Sequence, residues 1–116
     1  DKEYTDALTN MQKATRENGI DKLLKEHNLH ALMAPTGAPA WKTDLIDGDH
    51  FLGGSSSLAA ISGYPSITVP MGFVDVLPVG VSFFSTAWQE PTLIEIAYGY
   101  EQATKHRKAP KYIPSR

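Results

Sequence analysis

Gly53-Gly54-Ser55-Ser56-Ser57-Leu58-Ala59-Ala60-Ile61-Ser62-Gly63-Tyr64-Pro65-Ser66-Ile67-Thr68-Val69-Pro70 reads as a glycine-serine loop, a short helix, a stop and a strand. Ser55 suits an N-cap, because its hydroxyl can accept from a backbone N–H two or three residues on. Leu58, Ala59, Ile61 and Ser62 give a helix of about two turns, near 55–62. Gly63 can adopt the left-handed conformation that ends helices. Tyr64 precedes a proline and is pushed into extended backbone. Ser66 to Val69 then reads as a buried strand, β-branched at 67–69 and closed by Pro70.

Downstream, Met71 to Leu77 is a short connection, and Pro78 to Ser85 is a second strand, its core near 79–85. Alternation puts Val79, Val81 and Phe83 on one face and Gly80, Ser82 and Phe84 on the other. So short a connection implies an antiparallel hairpin, and Gly80 offers a close approach to a neighbour. Pro91 suits the first turn of a last helix, near 91–106. Leu93, Ile94, Ala97, Tyr98 and Glu101 carry its helical spacing, and Lys105, His106, Arg107 and Lys108 would complement its dipole in the last turn. Pro110 and Pro114 leave the tail to Arg116 extended.

Upstream, Tyr4, Ala7, Leu8, Met11 and Ala14 have the spacing of an amphipathic helix near 3–18, with Asn18-Gly19 as its stop. Ile20, Leu23 and Leu24 mark a second helix near 20–28, closed by His27 and Asn28. The apolar run Ala31-Leu32-Met33-Ala34 before Pro35 reads as a strand near 31–34 with both faces covered. Between Pro35 and Gly54 there is no periodicity, only breakers and the side chains of Trp41, Asp44, Asp47, Asp49, His50 and Phe51. Loops of this length are usually functional or lie over a site, and the aromatics suit a pocket rim better than a linker.

The chain has 116 residues, one domain's worth. Its 41% hydrophobic and 21% charged composition is that of an ordinary globular protein. A net charge of −2 gives no electrostatic grip on nucleic acid or anionic membrane. There is no cysteine, hence no disulfide framework, thiol nucleophile or thiolate metal site. That composition is compatible with a reducing compartment, and a cytoplasmic setting is expected. No apolar run approaches the roughly 20 residues of a membrane span. A start at Asp1, inside what reads as a helix, hints at a piece of something longer.

Several groupings invite chemistry. Asp49, His50 and Ser55–Ser57 hold the ingredients of a Ser-His-Asp triad, but triads are recognised by geometry, and loop polarity and a helix cap explain the serines. His27 and His30 have a spacing that could hold a metal on one helix face, yet the helix breaks between them. Asp44, Asp47 and Asp49 lack the glycine and glutamate register of a calcium loop. No metal site and no cofactor is expected. Gly53-Gly54-Ser55-Ser56 ahead of a helix could present N–H groups to a substrate carbonyl or carboxylate, or could be a capped turn that needs small residues.

Ala34-Pro35-Thr36, the stretch Gly53 to Pro70, Leu77-Pro78-Val79-Gly80-Val81-Ser82-Phe83-Phe84, Glu90-Pro91-Thr92-Leu93 and Tyr98-Gly99-Tyr100-Glu101-Gln102-Ala103-Thr104 together resemble the C-terminal part of amidase signature enzymes, in order and spacing, over about residues 20–114. In that family a serine attacks the amide carbon, and a second serine on a cis peptide bond relays protons to a lysine. Glycine-rich backbone N–H groups form the oxyanion hole. The resemblance implies acyl transfer, usually to water, through a covalent acyl-enzyme. The family's nucleophile lies in an upstream Gly-Gly-Ser-Ser-Gly-Gly-Ser block. Here Gly53-Gly54-Ser55-Ser56 continues into Ser57-Leu58 and stands in the position of the C-terminal region. No serine or lysine of this chain therefore inherits a catalytic role.

The implied architecture is α/β: a fragment, α+β when isolated, of a larger fold built on a mixed sheet. The whole of 1–116 forms one C-terminal fragment, with a cleft-lining loop at 35–54. Trp41, His50, Phe51, Gly53, Gly54 and Ser55 are the candidates for facing substrate. The implied partners are the upstream part of the enzyme and a small-molecule amide, with neither nucleic acid nor membrane. Alone, the chain would bare a face of the sheet, and so self-associate or be marginally stable. Two other readings remain: a free-standing α+β binding domain, and a self-sufficient serine hydrolase using His50.

Overall fold

At Gly63 and Tyr64-Pro65 the chain leaves a helix and enters the first strand of a hairpin. Gly63 sits at φ 71°, ψ 23°, and closes that helix as a left-handed cap. The computed structural model describes residues 1–112. Its elements are α1 (Lys2–Thr15), a π-helical turn (Arg16–Ile20), α2 (Asp21–Glu26), β1 (Leu32–Pro35), α3 (Ser56–Ser62), β2 (Ser66–Val74), β3 (Leu77–Phe84) and α4 (Glu90–Thr104). The strands lie in the order β1-β3-β2, and both pairings are antiparallel. This is the α+β form expected of the isolated chain.

β3 organises the packing, because its alternation feeds two cores. Val81 and Phe83 pack with Leu93 and Ala97 of α4, and Ile67, Val69 and Met71 of β2 join them. The Phe83 and Tyr100 rings meet edge-on at 5.7 Å. On the opposite face Phe84 packs with Ile20, Leu24 and Ala59, against Leu32, Ala34 and Tyr64. Helices therefore cover parts of both sheet faces.

Several boundaries differ from the sequence expectation. Asn18-Gly19 is a kink rather than a stop. Gly19 is non-helical without being left-handed (φ −116°, ψ −105°), and the Asp21 N–H reaches back five residues to the Arg16 carbonyl. A Cβ on Gly19 would lie 2.9 Å from the Ala14 carbonyl oxygen, which explains the glycine. α2 does close at His27 and Asn28, the latter at φ 50°. β2 does not end at Pro70. It runs on to Val74 through a bulge between Pro70 and Gly72, because an edge strand tolerates a missing N–H. The first strand begins at Leu32 rather than Ala31 and is only half-buried, with Met33 65% exposed.

α4 stops at Thr104, where Lys105 adopts a left-handed cap at φ 50°. The basic run thus lies beyond the last turn, and the Lys108 ammonium sits 4.8 Å from the centre of the Phe73 ring. The part of the expected extended tail at 113–116 lies outside the described residues.

A globular chain of this mass would expose roughly 6,200 Å² with a radius of gyration of about 13 Å. Here the values are 9082 Å² and 17.6 Å. Bare apolar side chains account for part of the excess: Tyr4 and Met11 on α1, Met33 on β1, and Leu45, Ile46, Phe51 and Leu52 in the loop.

Candidate functional site

The loop after β1 is closed at its base. Gly37 and Gly54 form an antiparallel bridge, and the Ser55 N–H donates to the Thr36 carbonyl at 3.1 Å. Gly54 must be glycine, since a Cβ would lie 2.9 Å from the Thr36 oxygen. Gly53 provides the turn at φ 97°. This strap draws the start of α3 against the end of β1.

Ser55 does not cap α3 with its side chain, contrary to expectation. Its backbone, at φ −97° and ψ 4°, is not the extended form that aims an N-cap hydroxyl at the helix. Its Oγ is instead buried and finds no hydrogen-bond partner among the described residues. Its N–H is also spent on Thr36, so the glycine-serine run does not offer all its donors to an anion.

Beside the strap, three hydroxyls line up, from the residue after β1 across β3 to β2. Ser82 Oγ lies 2.8 Å from Thr36 Oγ1 and 2.8 Å from Thr68 Oγ1. Gly80 makes room for them: a Cβ there would lie 2.9 Å from Thr36 Oγ1 and 3.0 Å from Thr68 Cγ2. The close approach expected at Gly80 is therefore to side chains. With Ser56, Ser66 and Tyr64 these groups line an open recess of about 480 Å³ between α3 and the sheet. Sequence reasoning did not single out Thr36, Thr68 and Ser82. Period-2 alternation, which puts Thr68 on the face of Ser66, and Ser82 on the face of Gly80, was the available signal.

A second network fixes the turn after α3. Arg16 Nε donates to the Ser62 carbonyl at 2.7 Å, and its guanidinium lies 5.3 Å from the centre of the Tyr64 ring. The Tyr64 hydroxyl donates to Asp21 Oδ2 at 3.1 Å. Burial, then the hydrogen bond and negative charge of Asp21, push the Tyr64 phenol above its ordinary pKa, with Arg16 opposing.

The remaining candidates stand out on the loop. The Trp41 and Phe51 rings lie 6.1 Å apart, tilted at 55°, and the Trp41 indole donates to Asp49 Oδ1. Asp44 accepts from the N–H groups of Asp47 and Ile46 at 2.9 and 2.7 Å, which holds its pKa below the usual carboxylate value. Asp49 is thus engaged by Trp41, and no hydrogen bond joins His50 to Ser55, Ser56 or Ser57 among the described residues. The triad geometry is not assembled. Among the described residues no three His, Asp or Glu side chains gather as a metal would require. Trp41, His50, Phe51, Gly53, Gly54 and Ser55 all belong to the loop and its strap, and none of them lines the hydroxyl recess.

No family model matches the chain. Individual relatives do. The chain is 42% identical over 114 residues to a probable amidase of Arabidopsis thaliana, covering 97% of this chain and 19% of that protein. It is 37% identical over 90 residues to a glutamyl-tRNA(Gln) amidotransferase polypeptide of Pseudomonas entomophila, covering 72% of this chain and 19% of the relative. The native peptide amidase from Stenotrophomonas maltophilia superposes with a TM-score of 0.85 at 47% identity, over 97% of this chain and 22% of that one. The chain belongs to the amidase signature family. As an amidase-signature chain it spans about one fifth of the length of the curated relatives it matches. The sequence blocks behind the resemblance are, in three dimensions, the end of β1, the strap with α3, the β2–β3 hairpin and α4.

Proposed function

We propose that the chain is the C-terminal part of an amidase-signature amidohydrolase and walls the substrate cleft of that enzyme. The reading rests on one observation above all: 47% identity and a TM-score of 0.85 to a peptide amidase along 97% of the chain. In the whole enzyme an upstream serine attacks the amide carbonyl, releases the amine and leaves an acyl-enzyme that water hydrolyses. An upstream cis-peptide serine and a lysine move the protons. This chain supplies shape and not the nucleophile.

The cleft wall is the loop and its strap: Trp41, His50 and Phe51 on the outer part, Gly53, Gly54 and Ser55 at the base. The tilted Trp41–Phe51 pair gives an apolar surface, and Ser55 Oγ, four residues after Phe51, is a polar group without a partner among the described residues. The substrate is a small-molecule amide, and neither nucleic acid nor membrane takes part. Among the described residues no helix is long and apolar enough to cross a membrane. The cysteine-free composition is compatible with the cytoplasmic setting that we also propose.

The test is to express the gene product that contains this chain and assay it against peptide, small aliphatic and aryl amides. Hydrolysis of at least one class is expected. Trp41→Ala together with Phe51→Ala should raise KM several-fold while kcat changes less. No turnover of any amide by a folded product would overturn the reading.

A further inference from the structure

Arg16 and Asp21 stand five residues apart in sequence, and a straight α-helix would point them about 140° away from each other. The kink at Gly19 changes that. It closes with the Asp21 N–H on the Arg16 carbonyl, a wide hydrogen-bond spacing that recurs at functional sites. Both side chains thereby reach one residue of another element. The Arg16 guanidinium lies over the Tyr64 ring, and Asp21 Oδ2 accepts from the Tyr64 hydroxyl. Glycine at position 19 permits the kink, since a Cβ there would meet the Ala14 carbonyl.

The grip is on the C-terminal end of α3. Arg16 Nε donates to the carbonyl of Ser62, which is the last residue of α3 and fully buried. The guanidinium also covers Gly63, where a Cβ would lie 3.4 Å from Arg16 Nη2. The Tyr64 N–H donates to Ser62 Oγ at 3.3 Å, and the Pro65 carbonyl accepts from the Ser85 N–H just past β3. The 7 residues of α3 span only about 10 Å, and they pack against α1. At the other end of α3 lies the strap, where Gly54 and Ser55 meet Thr36. A short helix passes a shift at Ser62 on to Ser55, and the recess between α3 and the sheet changes width with it.

Asp21 separates this grip from simple packing. Its Oδ1 is buried and has no hydrogen-bond partner among the described residues, which costs stability. Stability alone therefore does not account for a carboxylate here. The fixed place it gives the Tyr64 hydroxyl does.

We propose that Arg16 and Asp21, acting through Tyr64 and the Ser62 carbonyl, are positioning residues for the substrate cleft: they hold α3 so that the strap presents Gly53, Gly54 and Ser55 to the amide. This rests on the reading of the loop and strap as the cleft wall of an amidase. Neither residue touches substrate, so their loss weakens substrate binding and leaves the chemical step to the upstream serine.

The experiment uses the gene product that contains this chain, with Arg16→Ala, Asp21→Ala, Asp21→Asn and Tyr64→Phe. It measures KM and kcat for the best amide, and hydrogen exchange at the Ser55 amide, which bonds to Thr36 in the strap. Arg16→Ala and Asp21→Ala should raise KM about fivefold or more while kcat stays within about twofold. Ser55 exchange should quicken by about tenfold in both. Asp21→Asn keeps an oxygen that accepts from the Tyr64 hydroxyl, and should restore both readouts. KM does not depend on how much of the enzyme is folded. A lower melting midpoint and lower apparent kcat at unchanged KM and unchanged Ser55 exchange would thus overturn the proposal while the amidase reading stands. Should Arg16→Ala fail to fold, Tyr64→Phe carries the same two readouts, and no change in either would overturn the proposal. No hydrolysis of any amide by the unaltered product would overturn the amidase reading and the proposal together.

Discussion

β3 and the loop from Gly37 to Gly54 are joined through Thr36, which bonds to Gly80, but are fixed by different physics. β3 is held by burial: Val81, Ser82, Phe83 and Phe84 are all inside, shared between two cores. The loop buries little. Leu45 and Ile46 are 97% and 94% exposed, and its fixed points are polar and local, at the Asp44 turn, the Trp41–Asp49 bond and the strap to Thr36. A region held by burial defines a shape whatever binds to it. A region held by short-range polar bonds keeps its form locally and leaves its apolar side chains for something else to cover.

That contrast can be broken most severely in β3. Phe84→Ala removes the ring that joins Ile20, Leu24 and Ala59, and should cost about 3–5 kcal/mol. Denaturant unfolding measures it, and a loss below about 1 kcal/mol would show that the second core is not a core. Gly80→Val forces a side chain where Thr36 Oγ1 already lies 2.9 Å from the Cβ position. A cost of about 1–3 kcal/mol is expected from overpacking. Ser82→Ala leaves the Thr36 and Thr68 hydroxyls without their shared partner, and should cost about 1 kcal/mol. In the loop, Trp41→Phe loses only an exposed bond and should stay within about 0.5 kcal/mol. An effect there as large as at Phe84 would overturn the comparison.

pH sharpens the same contrast. The Tyr64 phenol is raised in the folded state, so its stabilising contribution is present below about 10, the unfolded value, and is lost as pH rises through the folded value. Spectroscopic titration of Tyr64, checked with Tyr64→Phe, should show ionisation at higher pH than in free tyrosine. The Asp44 carboxyl is lowered, so its contribution is present above about 4 and is lost as pH falls through the folded value. The loop should therefore loosen in acid before the cores do, which amide exchange at Ile46 and Asp47 would report.

What could be read from sequence follows the same division. Elements fixed by burial leave a periodic trace: the alternation of β3, the helical character of α4 and the Gly63-Tyr64-Pro65 break all appear, although α4 buries Leu93 and Ala97 with Ile96 and Tyr100 and leaves Ile94 and Tyr98 exposed. Features fixed by tertiary contact leave none. The extension of β2 past Pro70 depends on its being an edge, which Pro70 itself does not reveal. The kink at Gly19 depends on the approach of the Ala14 carbonyl, and the hydroxyl row depends on the register that sets Thr68 opposite Ser82. Ser55 suits a capping role by residue type, but the strap spends its backbone elsewhere. For the candidate site, sequence marked the loop and its aromatics, whereas the recess beside them required the register.

The most direct measurement of the central claim is amide hydrolysis by the 116-residue chain alone, beside the gene product that contains it. The expected result is no turnover by the chain and turnover by the whole, with Ser55→Ala, Ser56→Ala and Ser57→Ala combined leaving the whole enzyme active. Hydrolysis by the isolated chain that is abolished by His50→Ala would contradict it and place the chemistry within this chain.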